Sequence, residues 1–173
     1  AIVSIFIGSD LEKVLDSIES GCPYDGCGER EFMRGAHVLP KFPRDTTDRN
    51  RTSPFAFTGN KFEFRMPGSS SSLSGPNIML NTAVAEELRQ FADILEPAGD
   101  FEAALHTLLK KTISEHKQII FNGNGYDESW IEAARTRGLL NLKTTPDAVS
   151  HFTDEKNLAL FSRHRVFSEA EAK

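Results

Sequence analysis

Tryptophan occurs once in the 173 residues, tyrosine twice and cysteine twice. Two cysteines cannot supply the disulfide framework of a small secreted domain. Cys22 and Cys27, in the loop GCPYDGCGER, are also spaced more widely than a usual zinc pair and have no second pair to complete a tetrahedral site. They read as ordinary free thiols. No apolar run approaches the roughly 20 residues needed to cross a bilayer. The opening AIVSIFIG is apolar, but it lacks the basic leader and small-residue cleavage site of a secretory signal. These absences predict a cytoplasmic protein with no membrane partner.

What is present suits a globular protein. The chain is 39% hydrophobic and 26% charged, long enough for one domain with a real core and too short for two. Its net charge of -5 is unevenly spread. Between Arg30 and Arg65, eight cations (Arg30, Arg34, Lys41, Arg44, Arg49, Arg51, Lys61, Arg65) face four anions (Glu31, Asp45, Asp48, Glu63), which makes this segment +4 and the remainder -9. A basic island in an acidic chain points to a local anionic ligand such as a nucleotide phosphate. A nucleic-acid-coating surface usually makes the whole domain basic, so no nucleic-acid partner is expected.

Along the chain, β-branched and aromatic residues over 2–7 predict a short strand. Ser9 with Glu12 forms a capping-box pattern ahead of a helix carrying Leu11, Val14, Leu15 and Ile18 and ending near Gly21. Residues 22–50 lack sustained periodicity and read as loop. PFAFTGNKFEFRMPG reads as two strand pieces around a turn at Thr58, Gly59 and Asn60, stopped by Pro67 and Gly68. After the polar run SSSSLSG, Pro76 sits in the first turn of a long helix whose Leu80, Val84, Leu88, Phe91 and Leu95 predict a buried stripe. Asp100 caps a second amphipathic helix marked by Phe101, Leu105, Leu108, Ile113 and Ile120. Shorter helices follow, one capped by Asp127 and stopped by Gly138, one started by Thr145 and Pro146, and one capped by Thr153. Both ends read as cut: the chain opens without methionine inside an apolar strand, and Ser168 with Glu171 announces a helix that is not expected to form before the last residue. The fold class is α+β, with an antiparallel strand pair covered by helices and a mostly helical C-terminal portion.

Side chains alternate across a strand, so Lys61, Glu63 and Arg65 share one face while Phe62, Phe64 and Met66 share the other. If the apolar face packs on the helix after residue 76, the charged row looks outward. A solvated strand face is the plain reading of such a row. A carboxylate between cations, with Arg49 and Arg51 entering the preceding strand, also suits a divalent metal beside a polyphosphate. That is the chemistry of phosphoryl transfer.

The block NRTSPFAFTGNKFEFRMPGSSSSLSGPNIMLNTAVAEELRQFADIL closely resembles the signature of type III glutamine synthetases, and AIVSIFIG, HKQIIFNGNGY and GLLNLKTTPDAV resemble the same family. The resemblance runs nearly end to end. It implies the C-terminal part of a catalytic region: 1–50 a strand, helix and loop excursion, 51–68 the active-site strands, and 76–173 a helical portion. It also implies an ATP-dependent ligase that phosphorylates the glutamate side chain and lets ammonia displace the phosphate, with Mg²⁺ or Mn²⁺ in the site and a large ring homo-oligomer as the whole enzyme. Carried over position by position, Arg51 matches an arginine that contacts the transferred phosphate. Lys61 stands where an arginine meeting ATP phosphates is usual, Glu63 matches a metal carboxylate, and Arg65 matches the arginine serving glutamate and the γ-phosphate.

Shorter synthetases carry a further phosphate-contacting arginine where this chain has Phe55, Ala56 and Phe57, a contact that Lys41 or Arg44 would have to replace. Residues 5–48 resemble an insertion. The family's other metal carboxylates and its metal-binding histidine match nothing here; His106 and His116 read as surface residues and Trp130 as core. The segment alone is expected to be inactive. Two other readings stay open: a non-catalytic relative acting as regulator or scaffold, and a helical module whose basic loop binds acidic partners.

Overall fold

The computed structural model describes residues 2–24, 50–66 and 68–172; Cys27, His37, Lys41, Arg44, Arg49 and Pro67 therefore lie outside the described residues. The strand order is β1 (Ile5–Phe6), β2 (Phe55–Phe57), β3 (Phe62–Phe64). The expected antiparallel pair forms, with Phe55 opposite Phe64, Ala56 opposite Glu63 and Phe57 opposite Phe62. Its turn closes through the Thr58 amide donating to the Lys61 carbonyl at 2.8 Å, and Gly59 takes φ 95°, a left-handed conformation that favours glycine. The opening strand is shorter than predicted. Only Ile5–Phe6 pair with β2, in parallel; Ile2 bridges Asn141 instead, and on its other edge Ile5 bridges Ile120, its carbonyl accepting from the Phe121 amide at 2.9 Å.

Helix α1 (Gly8–Ser20) ends where expected, on left-handed Gly21, but its start differs. Ser9 does not cap it. The side chain of Asn122 does so from 115 residues downstream of Ile7: its Oδ1 accepts from the amides of Ile7 at 3.1 Å and Gly8 at 2.9 Å, while its Nδ2 donates to Glu12 at 2.8 Å. A tertiary cap has displaced the local one, satisfying two amides of the first turn that the helix itself cannot.

Helices α2 (Ser74–Leu95) and α3 (Phe101–His116) follow, the latter capped by Asp100, whose carboxylate accepts from the Ala103 amide. The expected stripe on α2 is not buried. Val84 is 56% exposed and Leu88 61%, whereas Thr82 and Glu86 are the buried positions, and Phe101 at the start of α3 is also exposed. The reason lies in α6 (Glu155–Arg163), which crosses α2 through charge. Glu86 takes hydrogen bonds from Arg89 and Gln90 on its own helix, and from Arg163 at 2.6 Å, and shares one with His164 at 2.7 Å. A buried carboxylate needs that many partners, so the face that supplies them is the one turned inward.

The remaining elements are α4 (Glu128–Thr136), capped by Asp127 and stopped at Gly138, and α5 (Thr145–Val149), where Thr144 and Asp147 cap reciprocally. Residues 150–153 form a 3₁₀ turn, so Asp154 rather than Thr153 occupies the cap position of α6. Ser168 and Glu171 form the expected capping box, and α7 (Glu169–Ala172) does follow it. Trp130 is core, as expected: it is buried, stacks on Phe121 at 3.7 Å between ring centres, and carries Arg137 over its ring. Phe152, Phe161 and Phe167 form a second aromatic cluster. No described helix is long and apolar enough to cross a membrane.

The hydrogen bonds of Arg89 and His164, with the nearby Arg163 charge, hold the Glu86 carboxyl far below its ordinary 4.5. A folded value below the unfolded one stabilises above pH 4.5, and that contribution is lost as pH falls toward the folded value. Glu86→Gln therefore lowers Tm by several degrees at pH 7, and the gap from wild type narrows as pH drops below about 4.5, which thermal unfolding across pH measures. Asn122→Ala removes the cap of α1, at a cost of about 1–2 kcal/mol, so amide exchange in the first turn of α1 quickens roughly five- to thirtyfold.

Candidate active site

The site residues are set by one turn, one strand and one loop. In the turn, Asn50 Oδ1 accepts from the Thr52 amide at 2.9 Å and from its hydroxyl at 2.7 Å, a side-chain closure that replaces a backbone turn. Asn50 Nδ2 donates to the Gly123 carbonyl at 2.8 Å, and the Gly125 amide donates to Thr52 Oγ1 at 2.8 Å. Loop residues 122–125 thus lie flat against residues 50–52. Arg51, at the tip, is exposed.

On β3 and its flanks, Glu63 Oε2 accepts from Arg65 at 3.0 Å, and Lys61 Nζ lies 3.8 Å from Oε1. Arg65 also donates to the carbonyl of Asn50, the residue before Arg51. The guanidinium fork thereby joins strand to turn, and the predicted residues Arg51, Lys61, Glu63 and Arg65 fall into one connected patch. The side-chain exposures are graded, 66% for Lys61, 40% for Glu63 and 23% for Arg65, so the row runs from open solvent into the fold.

The sheet is oriented differently from the expectation. Paired residues point to the same side, so Glu63 shares a face with Ala56 and Phe6, both of which are buried. The charged row is therefore the rim of the buried face. The phenylalanine face is the open one: Phe55 and Phe62 stack at 5.4 Å and Phe57 lies 5.1 Å from Phe62, yet Phe62 and Met66 remain exposed. It is not covered by α2 as anticipated. Ala56, on the same face as Phe6 and Glu63, is fully buried.

Lys61 and Arg65 flank the Glu63 carboxylate, and Arg51 is exposed on the adjoining turn, so the cations outnumber the acid among these residues, which suits a polyanion. Among the described residues no group of three or more His, Cys, Asp or Glu is placed to hold a metal unaided, and the described histidines lie elsewhere: His106 and His116 are exposed, His151 pairs with Asp154, and His164 joins Glu86. An open groove of about 770 Å³ between α2 and the C-terminal helices is lined mainly by apolar groups such as Met79, Val149, Phe152 and Leu160, with His151 at its wall and no lysine or arginine in its lining. Loop 122–125 carried no predicted role; its Asn-Gly-Asn-Gly run marks a tight turn, but not what the turn would grip.

Comparison with known proteins supplies a family. Residues 104–173 match the family described as glutamine synthetase C-terminal domain. Across 99% of its length the chain is 43% identical to the type-3 glutamine synthetase of Dictyostelium discoideum, 40% to a glutamine synthetase of Butyrivibrio fibrisolvens and 39% to one of Bacteroides fragilis (strain YCH46). It spans 24% of the length of each of these relatives. On sequence likeness from end to end, this chain belongs to the type III glutamine synthetase family.

Proposed function

We propose that this segment supplies the phosphate-binding wall of an ATP-dependent glutamate–ammonia ligase. The observation that carries the reading is the position of Glu63 between Lys61 and Arg65, with Arg65 tied to the turn that bears Arg51. In the whole protein, the glutamate side-chain carboxylate attacks the γ-phosphorus of ATP and ADP leaves. Ammonia then attacks the acyl phosphate, and inorganic phosphate departs with its bonding electrons as glutamine forms. Negative charge gathers on the transferred phosphoryl oxygens throughout, so catalysis is chiefly positioning and charge stabilisation.

Arg51 meets the transferred phosphoryl group from its turn. Lys61, the most exposed of the row, holds the ATP phosphates as a point charge, without the planar fork an arginine would bring. Arg65, held by Asn50 and Glu63, faces the γ-phosphate and the glutamate substrate with a fixed orientation. Glu63 is suited to be one metal ligand: Mg²⁺ takes one or two carboxylates and completes its shell with phosphate oxygens and water, so a single acid on a cationic face fits as part of a shared site. Mg²⁺ or Mn²⁺ bound there would offset phosphate charge. The other protein ligands would come from beyond this segment, as would the phosphate contact that Ala56 leaves unfilled.

We further infer a cytoplasmic whole protein that uses glutamate, ammonia and ATP and assembles as a large ring homo-oligomer. The apolar Val84, Leu88 and Ile94 that α2 leaves exposed support such burial against further protein. In the full-length protein, Glu63→Ala is expected to weaken Mn²⁺ binding and to lower the rate of glutamine synthesis at least about a hundredfold. Retained ligase activity would remove Glu63 from the site, and an ATP titration without effect would favour a non-catalytic relative.

A further inference from the structure

We propose that Thr52 and Gly125 are positioning residues for Arg51, clamping the turn so that this guanidinium is presented to phosphate without searching for its place. The inference rests on the reading of Arg51 as a phosphate contact and adds the means by which its orientation is fixed. Within residues 50–53 the division of labour is clear. Asn50 holds the Thr52 amide and hydroxyl and reaches Gly123. Thr52 accepts from the Gly125 amide. Ser53 is buried, with its hydroxyl donating to the Phe55 carbonyl at 2.8 Å and accepting from the Phe55 amide at 3.3 Å. Arg51 alone commits no side-chain hydrogen bond or ion pair to a described residue. Every neighbour anchors the turn; the exposed cation between them is left to act outward.

Gly125 is required here by space. A Cβ on it would lie 2.5 Å from the Thr52 carbonyl oxygen and 3.3 Å from the carbonyl carbon, both backbone atoms that cannot swing aside. Only glycine lets the loop press against the turn closely enough for its amide to reach Thr52 Oγ1. The same loop is itself held firmly: Phe121 pairs with Ile5 and stacks on Trp130, and Asn122 caps α1. The clamp thus refers Arg51 to the core of the segment instead of to the strands alone. Displacing a charge-stabilising group by about 1 Å is enough to cost about a hundredfold in rate.

The test is a set of variants in the full-length protein, read by steady-state kinetics with ATP varied and by Tm. Thr52→Val removes both hydroxyl hydrogen bonds at near-constant volume, Thr52→Ser keeps them, and Gly125→Ala forces loop and turn apart. Arg51→Lys is the reference. Thr52→Val and Gly125→Ala are expected to lower kcat about tenfold or more with Tm within a few degrees of wild type, while Thr52→Ser stays within about threefold. Combined with Arg51→Lys, Thr52→Val should cost less than about threefold more, because its effect passes through Arg51. If Thr52→Val does not fold, Gly125→Ala carries the same comparison. The proposal is overturned if these variants match wild type, or if Thr52→Val costs as much in the Arg51→Lys background as in the wild-type one. An Arg51→Lys protein as active as wild type would instead defeat the phosphate role of Arg51, a separate failure.

Discussion

The guanidinium of Arg65 is the contact on which the candidate site depends. It donates to the carbonyl of Asn50 and to the carboxylate of Glu63, and so ties the turn directly to the strand, beside the β2–β3 ladder. A planar fork with donors on both arms can satisfy two acceptors in different directions at once, which an ammonium at the end of a flexible stem does poorly. Because Arg65 is largely buried, the pairing is partly shielded from water, so it orients as well as neutralises. With Arg65 in place, Lys61, Glu63 and Arg65 form one surface: an acid framed by two cations on the rim of the buried sheet face.

That surface is supported from a distance. Loop 120–125 lies far beyond the site in sequence, yet it supplies the Ile120 bridge and Phe121 hydrogen bond to β1, the Asn122 cap of α1, and the Gly123 and Gly125 contacts to the turn of residues 50–52. Trp130, packed on Phe121, fixes the loop from behind. Elsewhere in the molecule, Glu86 and its arginine and histidine partners lock α2 to α6. The segment is therefore organised by a few polar ties of long sequence separation laid over a small apolar core that includes Phe6, Ala56, Leu108, Trp130 and Phe161.

Elements whose cause is local were legible in the sequence. Asp100, Asp127 and the Ser168–Glu171 pair announce helix starts because a cap acts within one turn of chain, and Gly21 and Gly138 announce stops because few other residues accept left-handed backbone. The alternation around Thr58–Asn60 was enough to place Lys61, Glu63 and Arg65 on one face. What it could not disclose is which face the core would take. Phenylalanine alternating with glutamate reads as apolar in and polar out, but Ala56 and Phe6, brought alongside by tertiary pairing, made the acidic side the closer packed one. The periodic stripe on α2 misled for a related reason: Glu86, a single charged residue with partners on another helix, turned the helix about its axis. Likewise Ser9 lost its cap to Asn122, a competitor distant in sequence.

The most direct measurement is the structure of the full-length protein with ADP and Mn²⁺, using anomalous scattering to locate the metal. The account predicts a manganese ion within coordination distance of the Glu63 carboxylate, with nucleotide phosphates in reach of Arg51, Lys61 and Arg65. Nucleotide bound on another surface, with Glu63 touching no metal, would contradict it.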